Sequence, residues 1–343
     1  MNIKLINKNN LLYNLNICEK SRKIICPMVK ANAYGHGIKE IVGILKEKVN
    51  WFGVANANEA LKVKKISKNS KILVVGKTCE YSKLIKNNIS FTIDSFEDIK
   101  KINLICNKIN KKAYVHIAIN TGMNRIGVKN LYEFQKILNI INCNENIILE
   151  GIFTHFFDAD CEKTNFYNQL NIFSQYVKLV NKKVLVHIGG SFVLNYKLPD
   201  YIDMVRVGFF IYGYGKNDLK PVMSIYSEIL KIKDCKKGEY VGYGNTNQLK
   251  KDSKIATISL GYADGLSRRL SNKLKLTING KKAKIFGNVC MDMCMVDVTN
   301  VPCKIKDFVL VVSNIQTLAK LIGTSPYECL TNFQSFRGKS LIV

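Results

Sequence analysis

The chain predicts an α/β fold, a (β/α)8 barrel of the TIM type followed by a smaller, mostly β C-terminal domain. Two observations carry this. Through about two-thirds of the 343 residues, short β-rich runs recur, each followed by a more polar, helix-compatible stretch. After about Pro221 the rhythm changes, and strand-like runs follow one another across turns with few helical intervals.

The first region offers eight strands: Ile24–Val29, Trp51–Ala55, Ile72–Val75, Ser90–Ile93, Tyr114–Ile119, Leu149–Thr154, Val184–Ile188 and Met204–Val207. On pattern alone a doubly wound sheet also accommodates them. The barrel is preferred because Lys30, Arg125, His155, Ser191 and Arg206 all fall at or just beyond strand C-terminal ends, the face where barrel enzymes do chemistry. The second region offers Ile255–Leu260, Leu274–Ile278, Lys284–Phe286, Cys294–Val298 and Phe308–Val312. The expected domains are residues 8–222 and 223–343.

Composition narrows the function. Hydrophobic residues make up 47% of the chain and the mean hydropathy is −0.02, values of a water-soluble globular protein. The opening MNIKLINKNNLLYNLN is polar and lacks the apolar core of a leader, and no run is long enough to cross a bilayer. The expectation is a cytoplasmic protein without a membrane partner. The eleven cysteines (18, 26, 79, 106, 143, 161, 235, 290, 294, 303 and 329) are scattered with no CxxC pair, and there are only four histidines. Reduced packing thiols and no metal site are expected.

A net charge of +26 invites a nucleic-acid partner, but almost all of the basicity is lysine spread along the chain. Arginines are confined to Arg22, Arg125, Arg206, Arg268, Arg269 and Arg337, and aromatic stacking motifs are absent. A solvated positive surface with no nucleic-acid partner is the better reading. Where arginine is this rare, one inside a motif is seldom filler.

The chemistry starts at VKANAYGHG, Val29 to Gly37. An apolar run delivers Lys30 to the end of a strand; small residues, a tyrosine and two glycines follow, and then a helix-compatible segment. A lysine there serves as a Schiff-base nucleophile if burial lowers its pKa, and a glycine-bracketed helix start offers N–H groups to a phosphate. Both are what pyridoxal 5′-phosphate requires, although a surface lysine in a βα loop has the same spacing.

VKANAYGHG closely resembles the cofactor-lysine signature of bacterial alanine racemases. Five further segments are similar to that family in the same order: NTGMNRIG from Asn120, THF from Thr154, VRVGFFIYG from Val205, SLGYADG from Ser259 and GNVCMDMCMVDV from Gly287. The likeness covers nearly the whole chain. It implies pyridoxal-phosphate-dependent interconversion of L- and D-alanine, supplying D-alanine for peptidoglycan, with serine or a broader amino-acid range as the alternative. A barrel-only cofactor-binding protein would lack the β domain, and a decarboxylase relative would use a cysteine near the reacting carbon, for which Cys290 is the candidate.

Racemisation needs acid/base groups on opposite faces of a planar carbanion. The resemblance assigns them to Lys30 and Tyr262; without it, Tyr262 reads as packing in a strand turn. A phenol, ordinarily of pKa about 10, needs stabilising neighbours to act as a base. The family supplies His155 against the tyrosine and Arg206 against His155 and the pyridine nitrogen, where it disfavours ring protonation. Phosphate binding is implied for Tyr34, Ser191 and the backbone at Gly208 and Phe209. Substrate carboxylate binding is implied for Arg125 and the backbone at Met291. Asp292 either orders the tyrosine's surroundings or is a carboxylate facing water. His36 and His187 read as capping or core hydrogen-bonding groups.

The family also implies a head-to-tail homodimer in which Lys30 meets the partner's Tyr262, and pairing of Asn2–Ile6, within residues 1–7, with the second domain. The chain departs from the family at Ala118 (a lysine that orients the motif arginine), Asn120 (aspartate), Gly190 (asparagine), Phe336 (a phosphate-binding tyrosine) and Asn288 (arginine), and a short tail is expected after Arg337. Arg125 is therefore expected to be held by an anion or another side chain.

Overall fold

The first strand, β1 (Asn2–Ile6), does not belong to the barrel that follows it. In the computed structural model, which describes residues 1–157 and 162–343, a helix over Lys8–Glu19 leads into eight parallel strands. They are β2 (Ile24–Pro27), β3 (Trp51–Val54), β4 (Lys71–Val74), β5 (Ser90–Ile93), β6 (Ala113–Ala118), β7 (Ile147–His155), β8 (Leu185–Gly189) and β9 (Met204–Val207). Each neighbours the next in sequence, and β2 pairs with β9. Closure between β2 and β3 rests on the Met28–Gly53 bridge and the Val29 N–H bond to Gly53 O at 2.8 Å.

Sequence explains the alternation. The strand SFTI is buried throughout, as a barrel wall covered by helices requires. In the helix Leu131–Asn142, Phe134, Ile137, Leu138 and Ile141 recur at helical spacing and are all buried. The side chain of Asn130 caps its start by accepting from the N–H groups of Tyr132 and Glu133. The strands Ser90–Ile93 and Met204–Val207 lie as expected, and the bounds of the other barrel strands shift by one or two residues. One compact unit comprises Leu12–Lys30 and Ile41–Leu219.

The other unit comprises Met1–Leu11, Ala31–Glu40 and Lys220–Val343. Its strands are β1 with β10 (Met223–Cys235), β11 (Ser253–Ile258), β12 (Lys275–Ile278), β13 (Lys281–Ile285), β14 (Cys294–Asp297), β15 (Phe308–Val312) and β16 (Lys339–Ile342). Strand β1 pairs antiparallel with β10 and parallel with β16. Long β10 also pairs with β11, shifting register between Ile229 and Lys231. Strand β13 starts three residues before its expected position because Asn279 (φ 47°) and Gly280 (φ 79°) form a tight hairpin that sets Ile278 opposite Lys281. Two helices, Ile315–Ile322 and Pro326–Asn332, add to a region expected as strands and turns.

Among the described residues no helix is long and apolar enough to cross a membrane, and no group of three or more His, Cys, Asp or Glu could hold a metal ion. The described cysteines are free thiols; Cys161 lies outside the described residues.

Candidate active site

Strand β2 ends at Pro27, and Met28 and Val29 carry the chain to Lys30. Lys30 is half-buried. Burial first, then the Arg125 guanidinium, hold its ammonium below the ordinary lysine range; Arg206 adds to this and Glu59 opposes it. The neutral, nucleophilic amine is thereby favoured.

The helix expected after the two glycines runs over Ile38–Leu45, and the four residues between Lys30 and Gly35 are not right-handed helix. Ala31, Asn32, Ala33 and Tyr34 have φ of 50°, 52°, 56° and 52° and form a left-handed turn, closed by Gly35 N–H to Ala31 O at 3.0 Å. Left-handed backbone costs L-residues about 1–2 kcal/mol each, so it persists only where its surroundings impose it. Asn32 Oδ1 accepts from Ile38 N–H at 2.9 Å, and His36 Nδ1 lies 3.0 Å from the carbonyls of both Ala33 and Tyr34, to which it donates. Lys4, a buried residue of β1, donates to Gly35 O at 2.6 Å and to Phe333 O at 3.4 Å. A Cβ on Gly35 would stand 2.2 Å from Leu330 O, so only glycine fits there. This turn sets the buried ring of Tyr34 against Tyr327, centroids 6.1 Å apart.

Within the barrel, Arg206 on β9 is 4% exposed and lies among neutral partners. It donates from Nη2 to Thr154 O at 2.9 Å and from Nη1 to His187 Nδ1 at 2.6 Å. Because arginine only donates, His187 must accept at Nδ1 and carry its proton on Nε2, which bonds His116 Nδ1 at 2.7 Å. His116 Nε2 then donates to Glu150 Oε2 at 3.2 Å. Glu150 also receives Ser90 Oγ and Lys71 Nζ. A directional chain thus links the buried guanidinium to a carboxylate. Burial lowers the Arg206 pKa to about 9, which leaves it a cation at neutral pH. His155, at the end of β7, is pushed down to about 3 by burial and then by Arg206, and is neutral. A Cβ on Gly189 would lie 2.3 Å from Arg206 Nη2 and 2.4 Å from His155 Nδ1, so the glycine lets both side chains share one place.

Ser191, just after β8, accepts at Oγ from the N–H groups of Gly208 at 3.1 Å and Phe210 at 3.3 Å. The donor beyond Phe209 is thus Phe210, which the sequence reading did not single out. Gly190 has φ 116°, which explains the loss of a side chain there. The Arg125 loop is shaped by Asn120 Oδ1, which accepts from the N–H groups of Gly122 (3.1 Å) and Asn124 (3.0 Å), and by Asp94 Oδ2, which accepts from Gly127 N–H at 2.9 Å. Asn120 therefore serves the loop backbone. Ala118 is buried in the barrel wall.

In the other unit, Tyr262 and Met291 sit on adjacent loops and are 43% and 54% exposed. Tyr262 N–H bonds Cys290 O and Ala263 N–H bonds Met291 O, both at 3.0 Å. Asp292 does not face water alone: Arg337 Nη2 reaches its Oδ1 at 2.8 Å. Phe336 lies over the Lys4 ammonium, 5.1 Å from ring centroid to Nζ, and Asn288 Nδ2 donates to Tyr243 O at 2.9 Å. Lys4, Glu150, His116 and Arg337 were missed as site-supporting residues. For Arg337 the signal was the scarcity of arginine; for the other three the sequence held none.

The donor set fits pyridoxal 5′-phosphate. It offers an amine biased to its nucleophilic form, a buried cation whose direct hydrogen-bond partners are neutral, and a hydroxyl gathering backbone N–H groups where a phosphate needs donors.

The family model for the alanine racemase N-terminal domain matches residues 6–216, and that for the alanine racemase C-terminal domain matches residues 222–339. An alanine racemase of Borreliella burgdorferi is 35% identical over 362 residues, covering 98% of this chain and 96% of the relative. The structure of an alanine racemase of Clostridium difficile 630 superposes with a TM-score of 0.93 at 33% identity, covering 99% of this chain and 95% of that one. A Bartonella henselae alanine racemase structure with covalently bound pyridoxal phosphate gives a TM-score of 0.88 at 28% identity, covering 100% and 99%.

Proposed function

The chain belongs to the alanine racemase family, and from that premise we propose that it interconverts L- and D-alanine with pyridoxal 5′-phosphate carried on Lys30. The observation that carries this reading is Lys30, its amine biased toward neutrality at the mouth of a barrel beside Arg125 and Arg206. When bound, the cofactor supplies an electron-withdrawing ring that acidifies the substrate Cα–H.

Lys30 takes or returns the proton on one face of Cα, and the phenol of Tyr262 does so on the other. His155, kept neutral, hydrogen-bonds that phenol. Arg206, still charged at neutral pH, would face the cofactor's ring nitrogen and so oppose its protonation. Tyr34, Ser191 and the backbone at Gly208 and Phe209 hold the phosphate. Arg125 and the backbone at Met291 hold the substrate carboxylate, a group suited to guanidinium pairing, and Asp292 orders the tyrosine loop.

The site is shared. Residues 8–222 hold the cofactor, while residues 223–343, with residues 1–7, present Tyr262 to a second copy in a homodimer. The exposure of Tyr262 and Met291 on the single chain supports this, and two-fold dimers are the commonest oligomers. The enzyme then acts in the cytoplasm and supplies D-alanine for peptidoglycan.

The test is α-hydrogen exchange by proton NMR in deuterated buffer, with added cofactor, single-enantiomer amino acids and chiral analysis, over a protein dilution series. Exchange with inversion should be strongest for alanine and fall per chain on dilution. Strongest exchange with serine would favour the broader alternative, and none despite bound cofactor would overturn the racemase reading. A rate per chain that stays constant into the monomeric range would overturn the shared site.

A further inference from the structure

Arg337 lies far in sequence from both loops of the β unit that carry proposed chemistry, yet it touches an aspartate on each. Its Nε donates to Asp264 Oδ1 at 2.8 Å and its Nη2 to Asp264 Oδ2 at 3.0 Å, a bidentate fork. The same Nη2 reaches Asp292 Oδ1 at 2.8 Å. Asp264 follows Tyr262 by two residues and Asp292 follows Met291 by one.

The two carboxylates are in different situations. Asp292 is half-exposed, whereas Asp264 is 1% exposed and accepts the Gly261 N–H at 3.2 Å, closing the turn on which Tyr262 sits. A carboxylate that deep needs a charged partner, and removing the partner leaves a buried charge unpaired. The backbones of the two loops already meet: Tyr262 N–H to Cys290 O, Ala263 N–H to Met291 O, and a Gly261 so close to Met291 that a Cβ would stand 2.2 Å from its carbonyl oxygen. Those bonds align the loops locally, and the guanidinium spans them from outside.

We propose that Arg337 is a positioning residue that fixes the spacing between Tyr262 and the Met291 backbone, and with it the register of the proton-transfer phenol against the substrate carboxylate. This rests on the racemase reading above. Arg337 touches neither reacting atom; it acts through Asp264 and Asp292. Lysine in its place could meet one carboxylate but not grip Asp264 by a planar fork while reaching Asp292.

Two measurements on Arg337→Gln and Arg337→Lys test this. The first is amide hydrogen exchange of the cofactor-free protein, comparing Tyr262 and Ala263 with amides in β10 and β15. In Arg337→Gln the loop amides should exchange at least tenfold faster while the strand amides are unchanged, with Arg337→Lys intermediate. Unchanged loop amides would overturn the proposal, and so would equal acceleration in the strands, which would make Arg337 a general staple of the domain. The second is the α-deuterium isotope effect of the loaded enzyme in each direction. It should rise in Arg337→Gln in the direction in which Tyr262 takes the Cα proton more than in the direction in which Lys30 takes it. An equal effect in both directions, with lost activity tracking lost cofactor, would overturn the positioning role. Absence of α-hydrogen exchange in the wild-type protein would instead sink the racemase reading, and loop-amide protection would then decide whether the clamp exists.

Discussion

Lys30 carries a conflict that its proposed role would use. Its ammonium is half-buried near Arg125 and Arg206, with Glu59 the opposing charge, so the cationic form is disfavoured. Replacing it should therefore cost activity without costing stability. In Lys30→Ala, exchange at alanine Cα should fall by a factor of roughly 10²–10⁴, the usual worth of a positioned acid/base group, and no cofactor should remain attached after borohydride reduction and dialysis. The cofactor-free variant should unfold in urea no earlier than the cofactor-free wild type, because two arginines lose a like-charged neighbour. Covalently retained cofactor would place the attachment on another lysine. The proposed site residues Lys30, His155, Arg206 and Tyr262 each lie inside a motif that the sequence displays. Glu150 and His116 were not legible there, since a buried relay is made by strands side by side in the barrel, and spacing along the chain says nothing about it.

The left-handed turn from Ala31 to Tyr34 shows what an element hides from its own sequence. Ala-Asn-Ala-Tyr reads as ordinary helix material, and only the glycines hint at unusual backbone. Handedness is imposed from outside, by Lys4 on Gly35 O, by Leu330 against Gly35 and by His36 beneath two carbonyls. Strand β10 was missed for a related reason. It alternates buried and half-buried from Met223 to Ile229 and then continues as a largely exposed, lysine-containing ribbon. The barrel strands, buried on both faces, announced themselves as apolar runs. For the turn, Lys4→Met should keep the bulk of the side chain but strand the carbonyls of Gly35 and Phe333, at a cost of about 1–3 kcal/mol. Cofactor affinity, measured by titrating the visible absorbance, should weaken roughly tenfold, and Lys4→Arg should recover part of it. Since burial lowers the Lys4 pKa to about 8, with Glu40 opposing, the wild-type advantage over Lys4→Met should shrink as pH rises through 8. An undiminished affinity in Lys4→Met at pH 7 would show that the turn holds itself.

At the scale of the whole molecule, all four histidines are biased toward the neutral form. Burial is the largest cause in each case: it takes His36 and His155 to about 3, lowers His116 against the pull of Glu150, and holds His187 well below the ordinary range. Their folded pKa values lie below the unfolded value of about 6.5, so below that pH the unfolded chain binds more protons than the native one. Their stabilisation is complete above about pH 6.5 and is lost as pH falls toward 3. Three of them, His116, His155 and His187, belong to the unit of Leu12–Lys30 and Ile41–Leu219. Each histidine that stays neutral in the fold costs that unit about 1.4 kcal/mol per pH unit once the unfolded histidines are protonated. Glu150, held down to about 2 by His116, Lys71 and Ser90 against the effect of burial, works in the same direction below pH 4.5. Urea midpoints followed by barrel fluorescence at Trp51 should therefore drop from pH 6.5 to 5, with protons taken up on unfolding at pH 5. A midpoint that stays level across that range would mean that the histidines charge within the fold, and the relay from Arg206 to Glu150 would then need a different set of tautomers.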